Sequence, residues 1–377
     1  MQIITKDPMF RFLAILSIAA TVGLQAWRTL FNNFAVEVVH LEGNHIGIIQ
    51  SVREIPGFLA LLVIYIILII KENRLSALSI AILGLGVGIT GVFPSYTGLI
   101  ATTMIMSFGF HYFETTNQSL TLQYFNKDSS PLVIGKLRSY SAAANVAVGI
   151  TIYLISYIFS YEATFGLVGF VIVIVGIWGM LQNPTREGLP VQQKKMVFRR
   201  KYWLYYFLTF MSGARRQIFV AFAVFLLVIK FKFSIQDITM LFILNNTINY
   251  FLNPLIGKAI IRFGERRVLS LEYFSLIIVF IGYAFVESKS VIAVLYVLDH
   301  LFFNFSMGIR TYFQKIGDSK DIAPSMAVGF TINHIAAVLI PALGGLMWIL
   351  DYRIPFIAGA IMSSISLLFV QFIKSVK

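Results

Sequence analysis

The sequence predicts an all-α membrane protein: twelve transmembrane helices in two pseudo-symmetric six-helix bundles. Three observations predict it. Of 377 residues, 58% are hydrophobic and only 12% charged, about half the charged content of an average soluble domain. The chain breaks into twelve apolar runs, each near the roughly 20 residues that cross a bilayer. The longest polar break falls mid-chain, with six runs on either side.

That composition excludes several classes. A soluble catalytic domain has no room once the spans are counted, and an apolar content this high excludes a disordered chain. The net charge of +13 is a topology signal and not a nucleic-acid footprint. The chain has no cysteine, so it offers no disulfide framework, no thiolate metal site and no cysteine nucleophile. No cofactor and no metal are expected. The polar-studded opening span is far longer than the apolar core of a cleavable signal peptide.

The first six spans fall near 9–39, 45–70, 75–94, 96–124, 132–160 and 163–182. The next six fall near 200–231, 235–262, 267–288, 290–316, 322–350 and 353–374. This gives an N-terminal bundle at 1–182, a linker at 183–199 and a C-terminal bundle at 200–377. The linker holds Pro184, Gly188 and Pro190 and opens a basic cluster, Lys194, Lys195, Arg199, Arg200 and Lys201, as suits a flexible cytoplasmic connector. If the N-terminus is inside, 22 Lys and Arg lie in inside segments, and only Lys230, Lys232, Lys289 and Arg353 lie outside. That asymmetry places both termini in the cytoplasm. The remaining four, Arg28, Arg53, Arg215 and Arg216, fall within spans.

Span one carries Thr21, Gln25, Arg28 and Asn32 on one helical stripe, with Trp27 beside Arg28. An arginine at the bilayer centre is costly and must face the bundle or a wet cavity. Span two adds Glu54. Span three holds Gly84, Gly86, Gly88 and Gly91, which permit close helix approach. Span four is the most polar, with Thr103, Ser107, His111, Glu114, Gln118 and Thr121 down one face. Span five offers Arg138, expected to snorkel to the cytoplasmic interface, and Asn145. Span seven repeats span one with Thr209, Ser212 and Arg216, while Arg215 reads as structural. Span eight carries Asn245, Asn249 and Asn253 beside Pro254. Span ten offers Asp299, His300 and Asn304, and span eleven Asn333 and His334.

An offset of 188 lays Arg28–Val36 over Arg216–Val224 with five of nine positions identical. The same offset puts Asn145 on Asn333 and His111 on Asp299. Duplicated six-span halves are how many secondary transporters are built. The segment from Gly257 through Arg262, Gly264 and Arg266 to Arg267 is similar to the cytoplasmic gating loop Gly-x-x-x-Asp-basic-x-Gly-basic-basic of the major facilitator superfamily, with Ile261 where that pattern has Asp. With the two six-span halves, the whole chain resembles a divergent, bacterial-type member of that superfamily. The resemblance implies the major facilitator fold and alternating access.

Guanidinium forks suit carboxylate, phosphate or sulfonate groups. The expected function is therefore secondary active transport of a small organic anion. The substrate set is Arg28, Arg216, Gln25, Asn32, Trp27, His111, Glu114, Gln118, Asn145, Asn304 and Asn333. Glu114, His111, Asp299 and Glu54 are the candidates for proton coupling. Two alternatives stand beside this reading. Arg28 and Arg216 could pair with Glu54, Glu114 or Asp299, or the carboxylates could serve an exporter of cationic or amphiphilic compounds. The expected setting is the lipid bilayer of a bacterial inner membrane, as a monomer, with no nucleic-acid partner. No enzyme motif is present.

Overall fold

The computed structural model describes residues 5–41, 43–190, 192–193, 195–233 and 235–374. Lys194 of the linker cluster and Lys377 lie outside them. Among the described residues the chain forms twelve helical spans joined by short turns. They are α1 (Pro8–Glu37), α2 (Gly43–Phe58, a 3-10 turn Leu59–Leu62, then Val63–Ile66), α3 (Glu72–Ile89), α4 (Tyr96–Tyr124), α5 (Ser130–Ile155) and α6 (Tyr161–Leu181). The second six are α7 (Trp203–Ile218, a π-helical turn Phe219–Ala223, then Val224–Ile229), α8 (Ile235–Phe263), α9 (Glu265–Phe285), α10 (Lys289–Phe303, a 3-10 turn Asn304–Ser306, then Met307–Ile316), α11 (Ile322–Leu350) and α12 (Arg353–Phe369). Among the described residues, α1, α2, α3, α6, α9, α10 and α12 are long and apolar enough to cross a membrane on length and composition alone.

Local chemistry sets the ends. Asp7 caps α1 by accepting from the Met9 backbone N–H at 2.8 Å, with Pro8 in the first turn, where its missing N–H costs nothing. Ser95, Ser160 and Ser288 cap α4, α6 and α10 in the same way. Between α8 and α9 stands a single residue, Gly264, with φ +81°. Only glycine takes that left-handed turn without strain.

Packing divides the chain into two units whose segments interleave along the sequence. The first comprises Met1–Phe125, Tyr140–Val197 and Ser319–Thr331. Its tightest packing joins α3 to α4 and to α6 through the expected glycines: Gly86 lies against the Met106 backbone of α4, and Gly88 meets Gly169 of α6. The start of α11 belongs to this unit. Thr331 Oγ1 donates to the Phe58 carbonyl and accepts from the Leu61 N–H, both at 3.0 Å. It thereby serves one backbone group just before the 3-10 turn in α2 and one within it, the turn beginning three residues beyond Pro56. Thr331→Val keeps the shape and removes both bonds. It is expected to cost about 1–3 kcal/mol for the stranded polar groups, while Thr331→Ser stays near the parent, checked by thermal unfolding in detergent.

The second unit comprises Asn126–Ser139, Phe198–Asp318 and Ile332–Lys377. In it the start of α5 packs on α8: Gly257 abuts the Pro131 carbonyl, Gly135 abuts the Asn253 carbonyl, and Ser139 Oγ donates to the Tyr250 carbonyl at 2.5 Å. The segment bearing α7 is tied at both ends. Lys201 Nζ pairs with Asp318 at 2.6 Å at one end, and Lys230 Nζ donates to the Tyr352 hydroxyl at 2.5 Å at the other.

Candidate functional site

In the first unit the polar stripe of α1 separates cleanly from its core face. Trp27 is fully buried and stacks on Phe31 at 4.3 Å. Arg28, Thr29 and Asn32 are exposed, and Gln25 is half-buried, its amide 3.3 Å from the Thr29 hydroxyl. An exposed arginine midway along a membrane helix cannot face lipid and must face water. One turn of this helix thus fixes Arg28 on the wet side by anchoring its neighbour in the core.

Beneath that stripe lies a constellation that was only partly legible in the sequence. The Arg53 guanidinium of α2 sits 5.8 Å over the Trp27 ring and forms a 2.8 Å ion pair with Glu54. The donor atoms of Glu54 lie within 4.8 Å of those of His111 on α4. Ser107 donates to the Arg53 carbonyl. Trp27, Glu54 and His111 are therefore brought together, with Arg53 as the member that sequence reasoning left unassigned. Its signal was adjacency: a cation next to the one carboxylate of span two.

The polar face of α4 turns inward as its spacing demands. Thr103, Ser107, His111 and Thr121 are buried, while Glu114 and Gln118 are half-buried with the Gln118 amide 3.4 Å from Glu114. Asn145 of α5 is half-buried in the same unit.

The second unit separates the two neighbouring arginines of α7. Arg215 is 1% exposed, lies 4.4 Å over the Tyr273 ring and pairs with Glu272 of α9 at 3.6 Å. Arg216, one position round the helix, is half-buried, and the π-helical turn begins three residues later. Such turns recur at functional sites. Glu272 is a member that sequence reasoning left unassigned. Asn333 of α11 donates to the Thr209 carbonyl at 3.2 Å, with Gly213 allowing the close approach.

Asn304 begins the 3-10 break in α10. Its amide donates to Asn249 of α8 at 2.9 Å and to the His300 carbonyl at 2.8 Å. Its carbonyl accepts from Arg138 Nη1 at 2.8 Å. The same carbonyl accepts the Met307 N–H, so Arg138, expected to snorkel to the interface, adds a second bond at the 3-10 break. Asn245, Asn249 and Asn253 are all buried, and Asp299 is 2% exposed.

The gating-loop residues lie at the α8–α9 corner. Gly257 is packed and Gly264 makes the turn, while Arg262, Arg266 and Arg267 are exposed, Arg266 donating to Gln371 at 3.2 Å. Ile261, at the position of the missing Asp, is exposed. The ionic tie comes instead from Glu265, buried and 2.8 Å from Lys315. In the first unit Glu72, likewise the first residue of α3, accepts from Gln123 of α4 at 2.8 Å.

The sequence matches the family model described as Major Facilitator Superfamily over residues 9–316. No curated protein matches it significantly. The fold is similar to that of the E. coli fucose:proton symporter FucP, at 11% identity and TM-score 0.77, covering 97% of this chain and 98% of that one. It is similar to the human organic anion transporter TETRAN, at 12% identity and TM-score 0.75, covering 97% and 98%. It is also similar to a bacterial homologue of the iron transporter ferroportin in an outward-facing state, at 11% identity and TM-score 0.76, covering 96% and 98%.

Proposed function

The chain belongs to the Major Facilitator Superfamily and so is a multi-pass membrane transporter and not an enzyme, and we propose that its solute is a small organic anion bound by Arg28 and Arg216. The observation that carries this reading is the exposed face of α1, where Gln25, Arg28 and Asn32 stand together while Trp27 is buried. A guanidinium that must face water in a membrane span is a ready ligand for a planar anionic group. The carboxylates that would serve a cation carrier are partly engaged: Glu54 pairs with Arg53 and Glu272 with Arg215. One fold neighbour is an organic anion transporter and another a proton symporter, and at such low identity they lend the fold alone.

The transporter works by alternating access, as a monomer in a membrane of the bacterial inner-membrane type, with its basic loops and both ends in the cytoplasm. His111, Glu114, Gln118, Asn145, Asn304 and Asn333 complete the binding set, while Trp27, expected in it, backs Arg53 from the core. For uptake, anion entry against an inside-negative potential costs about 2.3 kcal/mol per charge per 100 mV, which a co-transported cation such as a proton offsets. Its carriers come from Glu114, His111, Glu54 and Asp299.

A thermal-shift screen of detergent-purified protein with small carboxylates, phosphates and sulfonates, against matched cations and neutral solutes, tests the reading. Ligand binding to the native state raises stability. An anion is expected to stabilise the parent and to lose its effect in Arg28→Ala and Arg216→Ala. Stabilisation by cations alone, or by anions equally in both variants, would overturn it.

A further inference from the structure

The end of the α7 segment away from Lys201 opens on a pocket that the solute site does not use. Lys230 follows the last turn of α7, Tyr352 precedes α12 and Arg353 opens it. These three line a cavity of about 630 Å³, within the roughly 300–1,000 Å³ usual for small-molecule sites. Ile229, Trp348 and Leu350 line it too. The Trp348 ring is held by Phe222 at 5.7 Å and Phe225 at 5.0 Å. Ile229 and Leu350 are exposed, so the apolar wall runs out to the membrane.

The Tyr352 hydroxyl gathers the cations. It accepts from Lys230 Nζ at 2.5 Å and from Arg353 Nε at 3.4 Å, and it donates to the Ala284 carbonyl of α9 at 3.3 Å. Burial raises this hydroxyl, yet the bonds from Arg353 and Lys230 outweigh burial and hold it below the ordinary tyrosine range. An ammonium has three donors and a guanidinium five. Among the described residues the Arg353 guanidinium donates through Nε alone, so its fork stays available to an oxyanion. Two carboxylates stand farther out. Glu287 lies 3.3 Å from Lys230 and its side chain is 77% exposed against 26% for the lysine. Asp351 is exposed, and its Oδ1 accepts from the Arg353 backbone N–H at 2.8 Å. The cluster is thus neutral, with its cations inside and its carboxylates outside. A simple anion would meet those carboxylates, whereas a headgroup with phosphate near its acyl chains and an ammonium beyond matches both layers.

We propose that this pocket binds a phospholipid of the ethanolamine type, its phosphate on Lys230 and Arg353, its ammonium toward Asp351 and Glu287, and an acyl chain along Ile229, Trp348 and Leu350. On the orientation read from the charge asymmetry, these turns face outward and the lipid belongs to the outer leaflet. Trp348 and Tyr352 then sit in the interfacial belt where such side chains concentrate. The apolar wall selects a lipid over a free phosphate ester.

Thermal shift of the delipidated full chain in detergent tests the site with no transported solute present. The probes are phosphatidylethanolamine, phosphatidylcholine, phosphatidylglycerol and water-soluble glycerophosphoethanolamine. The ethanolamine lipid is expected to raise the unfolding midpoint most, because choline has no N–H donor and glycerol no cation. The free headgroup is expected to have no effect at the same concentration. Lys230→Gln and Arg353→Gln should each weaken the lipid's affinity by about tenfold, the loss of one charge-assisted hydrogen bond, and one folded variant suffices. Asp351→Asn combined with Glu287→Gln should keep binding and abolish the preference over phosphatidylglycerol. Equal stabilisation by the three lipids, a free headgroup as effective as the lipid, unchanged affinity in a folded Lys230→Gln or Arg353→Gln, or a preference that survives the double change would overturn the proposal.

Discussion

Arg215→Ala is expected to lower the stability of the purified protein by about 3–5 kcal/mol, because it strands the buried Glu272 carboxylate without its cation. The change also deletes the donor to Ser366 and the cation over the Tyr273 ring. Arg215→Lys should not rescue it. An ammonium lacks the planar fork that reaches Ser366 and Glu272 at once while stacking on an aromatic face. The double replacement Arg215→Met with Glu272→Leu is expected to regain most of the loss, since removing both members of a buried pair is far cheaper than removing one. Unfolding midpoints in detergent, compared for the three variants and the parent, check this. A single-variant loss below 1 kcal/mol would mean that water reaches the pair.

The second large effect is steric. Gly86→Ala and Gly169→Ala are each expected to destabilise the first unit by about 1–3 kcal/mol, the cost of forcing volume into a packed interface. At Gly86 the added methyl would collide with the Met106 backbone, and at Gly169 with the backbone at Gly88. Neither obstacle is a side-chain tip that could swing away, so whole helices must part. Gly149→Ala is the control, because nothing lies within 4 Å of where its methyl would stand. Small residues at membrane helix contacts act through backbone proximity. Reduced thermal stability at the first two positions and none at Gly149 is the expected pattern.

The spans themselves were legible because apolar runs of membrane length leave few ways to place a helix. The helix ends sit close to the predicted ones for the same reason. What lay inside the runs was less legible. Glu272 escaped notice because a stripe is recognised by several polar residues on one face, and span nine offers one interior carboxylate, with Glu287 only at its end. Its partner is on another helix, a relation that no spacing along the chain encodes. The bond from Arg138 to the Asn304 carbonyl was not legible because the 3-10 turn at which it forms has no marker in the sequence. Gly257 matched a gating pattern, and the fold adds a packing reason in its contact with the Pro131 carbonyl. Arg28 and Trp27 were read together as substrate residues, and the fold exposes the first and buries the second.

The π-helical turn of α7 makes that span two rotors on one axis. A π turn closes its hydrogen bonds one residue later than an α turn, so it stores a surplus residue between the segment bearing Arg216 and the segment Val224–Ile229. Each residue of an α-helix corresponds to about 100° of rotation. Arg216 lies three residues before that surplus, beside Arg215, which Glu272 holds at 3.6 Å. The ends of the span are pinned near Lys201 and at Lys230. The extra residue therefore sets the phase between the face that carries Arg216 and the face of the segment beyond it, and a deletion within the turn would rotate the one against the other.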